Sequence, residues 1–199
     1  MAELKTLFVI AISISLVNNM VLARFLGLCP FIGVTRRTSG AFGMGLAVTF
    51  VMTMASVVTW LLFTYVLEPW GLTAVLRTTS YILVIATLVQ LVEMVIRKSA
   101  PALYKMLGIY LPLITTNCAV MGVALLNTTD AQQPLSFLQA VTQGFFAGVG
   151  FMIAMLLMSG IREQLEMADV PECLKGAPIA FICTGIMAIA FMGFAGMAG

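Results

Sequence analysis

Histidine is absent from the 199 residues, and only 9% of them are charged. The first absence removes the commonest general base and the commonest zinc ligand together, so hydrolytic and zinc chemistry are poor expectations. The second removes the usual solvent. A soluble domain carries roughly 25% charged and about 45 to 50% apolar residues, whereas this chain is 61% hydrophobic with a mean hydropathy of +1.09. So few charges cannot cover the outside of one soluble core. The surrounding medium is therefore lipid, and a soluble globular enzyme is excluded. The formal charge of +2 is spread thinly and forms no nucleic-acid footprint. Cysteine is scarce as well: Cys29, Cys118, Cys173 and Cys183 are too few and too widely spaced for a disulfide scaffold.

What the chain has instead is apolar runs. Six of them lie between charged or turn-rich punctuation, roughly Leu4–Leu28, Gly40–Leu67, Thr78–Val95, Pro101–Leu126, Leu135–Gly160 and Gly176–Met197. Each is long enough to cross about 30 Å of hydrocarbon at about 1.5 Å per residue, and a helix is the one single-segment structure that satisfies its own backbone there. The expectation is an all-α integral membrane protein of six transmembrane helices, a single membrane domain over 1–199 with no room for an extramembrane one. The first run is too long for a signal h-region and lacks an A-x-A site, so the N-terminus is expected to be retained.

Six crossings put both termini on one side. Lys5 and Arg77 fall there, while Arg24, Arg36, Arg37, Arg97, Lys98, Lys105, Arg162 and Lys175 fall on the other, two against eight. The richer side is expected to be cytoplasmic, with both termini outside.

The two halves repeat a spacing. Cys29-Pro30-Phe31-Ile32-Gly33 and Cys118-Ala119-Val120-Met121-Gly122 share C-x-x-x-G, and Gly43-Met44-Gly45-Leu46 is matched by Gly148-Val149-Gly150-Phe151. This reads as a duplicated three-helix unit, repeat one over about 1–98 and repeat two over about 99–199. Three crossings is an odd number, so the copies have opposite orientation and form an inverted repeat.

Both cysteine-bearing segments look interrupted. From Leu4 to Arg36 and Arg37 there are about 32 residues, or about 48 Å of continuous helix, more than the bilayer core accepts even with tilt. Gly27 and Pro30 offer the break, with Cys29 between them. In the fourth segment Pro112 removes a backbone donor, and Thr115, Thr116 and Asn117 can satisfy the freed groups just before Cys118. Counting residues from the nearer end puts Cys118 about 13 Å and Cys29 about 10 Å deep. A lone cysteine in a membrane helix is usually a small buried hydrophobe. Two cysteines, two breaks and one repeated spacing need more. Discontinuous helices of inverted repeats bind solutes or ions in transporters; alternatively, thiolates there ligate soft metal or an iron-sulfur cluster. Two cysteines are half of a four-cysteine site, so a cluster needs a homologous partner.

Elsewhere the ordinary readings prevail. Cys173 and Cys183 stand outside the repeated motif, and Glu93 pairs by spacing with Arg97. Asn18 and Asn19 are expensive in a span and are expected to bond the opened backbone or a partner helix. Gly144-x-x-x-Gly148 and the other glycines supply close packing. The polar stretch from Ile161 to Pro171 reads as a solvated cytoplasmic loop.

Phe25-Leu26-Gly27-Leu28-Cys29-Pro30-Phe31, Leu111-Pro112-Leu113-Ile114-Thr115-Thr116-Asn117-Cys118-Ala119-Val120 and Gly160-Ile161-Arg162-Glu163 with Ala168-Asp169-Val170-Pro171 closely resemble the A-type membrane subunits of Rnf electron-transport complexes. The related E-type subunits of the sodium-translocating NADH:quinone oxidoreductase, Nqr, are similar across the same regions, although Cys-Pro-Phe at Cys29 looks more like Rnf. The resemblance covers essentially the whole chain. It implies a multi-pass component of a prokaryotic inner membrane, with six helices in an inverted three-plus-three repeat, assembled with other Rnf subunits and paired with a homologous one, Rnf E-like. It further implies a 2Fe-2S cluster shared between the pair, to which this chain brings Cys29 and Cys118. The implied complex is a redox-driven ion translocase that moves electrons between ferredoxin and NAD, coupled to Na+ or H+. The chain itself has no nucleotide-binding fingerprint, so no flavin or NAD is expected on it. The competing expectation is a small inverted-repeat transporter that binds a solute at its broken helices.

Overall fold

The computed structural model describes residues 2–67, 69, 73–99, 111–129 and 136–195, and the regular elements among them are all helical. Helix α1 (Ala2–Ile12) widens into a π turn at Ser13–Val17, and α2 spans Leu28–Val34. Helix α3 (Thr38–Leu62) ends in a second π turn, Phe63–Leu67, and α4 spans Thr73–Ser99. The fourth apolar segment contributes α5 (Leu111–Thr115) and α6 (Cys118–Thr129). Helix α7 spans Phe137–Met167, and α8 spans Ala177–Ala195 after a 3-10 turn at Glu172–Leu174. Residues 101–110, which include Lys105 and the expected start of the fourth run, lie outside the described residues, as does the end of the last run beyond Ala195.

Among the described residues four helical runs are long and apolar enough to cross a membrane: Thr38–Leu67, Leu76–Val95, Phe137–Met167 and Ala177–Phe194. The shorter apolar helices, Lys5–Val17 and Pro112–Thr128, belong to the two cysteine-bearing segments. The break after Val17 ends the first of them, and the second begins where the described residues resume. Helix α7 runs past the expected end at Gly160 to Met167, so half of the polar stretch expected as a loop is helix. Arg162, Glu163, Gln164 and Glu166 are good helix formers, and nothing in the sequence breaks the helix before Pro171.

The centre of the molecule is the antiparallel pair α3 and α7, in the most extensive contact between any two helices. Glycine sets their separation. A Cβ on Gly45 would lie 2.5 Å from Met152 Cγ, one on Gly148 would lie 2.5 Å from Thr49 Cα, and one on Gly144 would lie against Ser56. Trp60 and Phe137 close one end edge to face, with ring centroids 5.2 Å apart. At the other end Glu163 accepts hydrogen bonds from the Thr38 hydroxyl and, at 3.0 Å, from its N–H. Hydroxyls inside the helices are satisfied locally: Thr49 donates to Gly45 O, Thr59 to Ala55 O and Thr184 to Ala180 O.

The buried core includes Phe31, Met44, Met52, Tyr81, Ile114, Phe151, Met155 and Met158. It also includes Met20, Val21 and Leu22, which lie in the non-helical stretch between α1 and α2 and are at most 1% exposed. Irregular backbone at membrane depth is tolerated only where protein surrounds it, and here protein does.

Candidate functional site

The first break runs from Asn18 to Gly27, upstream of the expected position between Gly27 and Pro30. Helix α2 restarts at Leu28, so Pro30 occupies its third position, where the backbone N–H has no intrahelical partner to lose. Cys29 is consequently the second residue of a helix rather than part of the break. The second break is tighter: α5 ends at Thr115 and α6 begins with Cys118.

Each break is held by an asparagine. Asn19 is fully buried; its Oδ1 accepts from Val21 N–H at 3.0 Å and Leu22 N–H at 3.4 Å, and its Nδ2 donates to Ser15 O at 3.0 Å and Gly150 O at 2.8 Å. It therefore bonds both the opened backbone and a partner helix, the two options open for it in the sequence. Asn18 reaches only Ser13 Oγ, at 3.4 Å and in the open. Asn117 caps α6, accepting Ala119 N–H at Oδ1 over 3.0 Å, while Thr116 Oγ1 donates to Pro112 O at 3.2 Å. Asn117 Nδ2 is buried without a partner.

The two breaks meet. The backbone N–H of Gly27 donates to the Sγ of Cys118 at 3.1 Å. Gly27 is in the left-handed region at φ +81°, and a Cβ there would lie 2.8 Å from Phe151 Cε2 and 2.9 Å from Asn117 Oδ1. Only glycine lets the backbone before Cys29 come this close to the turn before Cys118. Leu26 completes the contact by packing its Cδ1 onto Gly122. Both glycines lie inside motifs the sequence singles out, but their contact across the two halves had no one-dimensional signal.

Cys29 and Cys118 are both free thiols exposed on the surface of the chain. Among the described residues no three His, Cys, Asp or Glu side chains converge as a metal site. Cys173 is exposed in the 3-10 turn, and Cys183 is half-buried in α8; no hydrogen bond links either to the breaks. Glu93 is half-buried on α4, one turn before the exposed Arg97.

A second polar feature is the anchorage of α2. Arg162 of α7 donates from Nη1 to Ile32 O at 2.6 Å and to Thr35 Oγ1 at 3.1 Å, gripping the C-terminal end of the helix whose start carries Cys29. The residue type suits the task, since a cation is favoured at a helix C-terminus. On the opposite side of the breaks Arg24 lines a hollow with Ser13, Asn18, Leu126 and Gln143.

Helices throughout the regular elements of the described residues, four of them of membrane length and apolar, and a junction of two helix breaks define a polytopic membrane protein organised around that junction. It belongs to the Rnf-Nqr family of membrane protein subunits, whose model matches residues 7–198. Relatives are similar over almost their full length. The A subunit of the ion-translocating oxidoreductase complex of Syntrophotalea carbinolica is 56% identical, with 98% of each chain covered. The A subunit of the Na(+)-translocating ferredoxin:NAD(+) oxidoreductase complex of Acetobacterium woodii is 54% identical, covering 96% of this chain and 98% of its own. The A subunit of the ion-translocating oxidoreductase complex of Serratia proteamaculans is 54% identical, over 99% and 98%.

Proposed function

We propose that this chain is an integral-membrane electron-transfer subunit of an ion-translocating ferredoxin:NAD+ oxidoreductase complex, with Cys29 and Cys118 as its two ligands to a 2Fe-2S cluster. The observation that carries the reading is the Gly27 N–H to Cys118 Sγ hydrogen bond, which draws two cysteine-bearing helix ends together. The names of the relatives supply the class of complex. The donor set fits the group: two soft, exposed thiols start two helices, beside a buried amide donor, Asn117 Nδ2, with no other partner. A cluster of this type takes four cysteines, so two come from a homologous membrane subunit seated over this face. When bound, the group supplies one-electron transfer through a region with no aqueous path. The protein's part would be to hold the two sulfurs, to tune that of Cys118 by N–H donation from Gly27, and to exclude water on the inner side with the packed core around Met20–Leu22.

In this reading the chain is one membrane domain of six spans, an inverted repeat with its breaks in the first and fourth, in a prokaryotic inner membrane with both termini outside. Other subunits of the complex carry flavin and NAD chemistry, and Na+ or H+ is the coupled ion.

The test is substitution of each cysteine in the assembled complex. Serine oxygen is a poorer donor to iron, so Cys29→Ser and Cys118→Ser are each expected to lose the cluster's iron and its EPR signal on reduction while complex size is kept. Cys173→Ser and Cys183→Ser are expected to retain both. Full iron content and electron transfer in the two motif variants would overturn the assignment, and an iron-free complex that moves a solute would favour a transporter.

A further inference from the structure

At the end of the bundle away from the start of α1, a cavity of about 400 Å³ opens between α7, α8 and the chain just after α2. Arg36, Arg162 and Lys175 line it together with a single carboxylate, Glu166. Three positive charges against one negative leave a formal excess of two. Arg162 commits one guanidinium nitrogen to the end of α2, and Arg36 is close enough to repel it. Among the described residues no side-chain hydrogen bond or ion pair engages Arg36, Lys175 or Glu166. Two guanidinium groups turned into one recess repel each other, and Glu166, close enough to attract Arg162, is one counter-charge for three cations.

The backbone adds to this field. Gly176, at φ +96°, turns the chain into α8, and no atom comes within 4 Å of where its Cβ would stand. That turn brings Gly176 and Ile179, in the first turn of a 19-residue helix, to the wall of the cavity. The first N–H groups of a helix lack intrahelical partners and favour negative charge.

We propose that this cavity binds a phosphate-class anion, recognised by Arg36, the uncommitted face of Arg162 and Lys175. Arginine forks match phosphate oxygens in pairs, and a recess of this volume has the size of a small-molecule site. It lies where the apolar run of α7 gives way to charge and that of α8 begins, at the level of phospholipid headgroups. Basic pockets between membrane helices bind anionic headgroups, so the phosphodiester of an anionic lipid is the expected source.

The full chain, purified within its complex in an uncharged detergent and freed of lipid, is titrated at fixed ionic strength with phosphatidylglycerol, phosphatidylcholine or inorganic phosphate. Bound lipid is quantified by mass spectrometry and thermal stability is followed in parallel. Phosphatidylglycerol is expected to bind in preference to phosphatidylcholine, with Arg36→Gln and Lys175→Gln each weakening it about fivefold. Glu166→Gln is expected to strengthen it. All three side chains are exposed, so their loss leaves the fold intact. Stabilisation by inorganic phosphate that Arg36→Gln abolishes, without preference between the lipids, would support the anion site and assign it a soluble source. Equal binding of the two lipids with no more stabilisation by phosphate than by chloride would overturn the proposal, as would unchanged affinity in both basic variants.

Discussion

Between Asn18 and Gly27 single residues decide the shape of the site. Asn19 uses both ends of its amide, and removing it would strand the N–H groups of Val21 and Leu22 in the core and cut the tie to Gly150 O. Phe25, at φ +56°, and Gly27, at φ +81°, both occupy the left-handed region, on either side of Leu26, whose N–H returns to Met20 O at 2.9 Å. A bulky residue held at positive φ is strained, and such strain persists only where the surroundings over-determine it. Gly27 therefore has two reasons to be glycine, its conformation and the crowding from Phe151 and Asn117. Gly27→Ala is expected to destabilise the protein by about 2 kcal/mol, the sum of a left-handed penalty and overpacking. A fall in Tm of the purified protein would register it. Gly185→Ala, whose Cβ meets nothing within 4 Å on α8, is the matched control and is expected to leave Tm unchanged or raised. Equal effects of the two would remove the crowding argument.

Helix ends and helix pairs divide what the sequence makes legible from what it does not. Breaks in the first and fourth segments were readable because about 32 residues of continuous helix overrun a bilayer and because Pro112 removes a donor. The placement of the first break was not. Pro30 signals interruption in one dimension, yet at the third position of a helix it costs nothing, and the break fell ten residues wide upstream where Asn19 could satisfy the backbone. The paired motifs Gly43-Met44-Gly45 and Gly148-Val149-Gly150 were readable as packing elements, but which helix each would meet depends on tertiary contact. In the structure α3 and α7 carry them against each other, and Gly150 also admits Ser15 and Asn19 of the first segment. At Gly148 the obstacle to a side chain is the Thr49 backbone, 2.5 Å from a Cβ, which no rotamer change can clear. Gly148→Val is expected to force α3 and α7 apart and lower stability by about 3 kcal/mol. Thermal unfolding compared with Gly160→Ala, which meets nothing within 4 Å, would measure it; parity between them would mean that the helix pair is not set by this contact.

Across the whole molecule the positions of the cations orient the two ends. The basic asymmetry read from sequence is two against eight, and three of the richer set, Arg36, Arg162 and Lys175, line one cavity. The asymmetry lies over short connections, where positive charge governs orientation. A reporter active only outside the cytoplasm, fused after Gly199, is therefore expected to be active, and the same reporter inserted after Met167 to be silent. A fluorescent reporter that matures only inside is expected to give the reverse pair. Fusions with the opposite pattern would invert the molecule. They would also move Arg36, Arg162 and Lys175 to the outer face, because those three line one cavity and cannot change sides separately. The cysteine junction would survive such an inversion unchanged, since it depends on contacts inside the protein. What would change is the side of the membrane from which the other subunits of a complex could approach it, which makes orientation the measurement that any proposed assembly must satisfy.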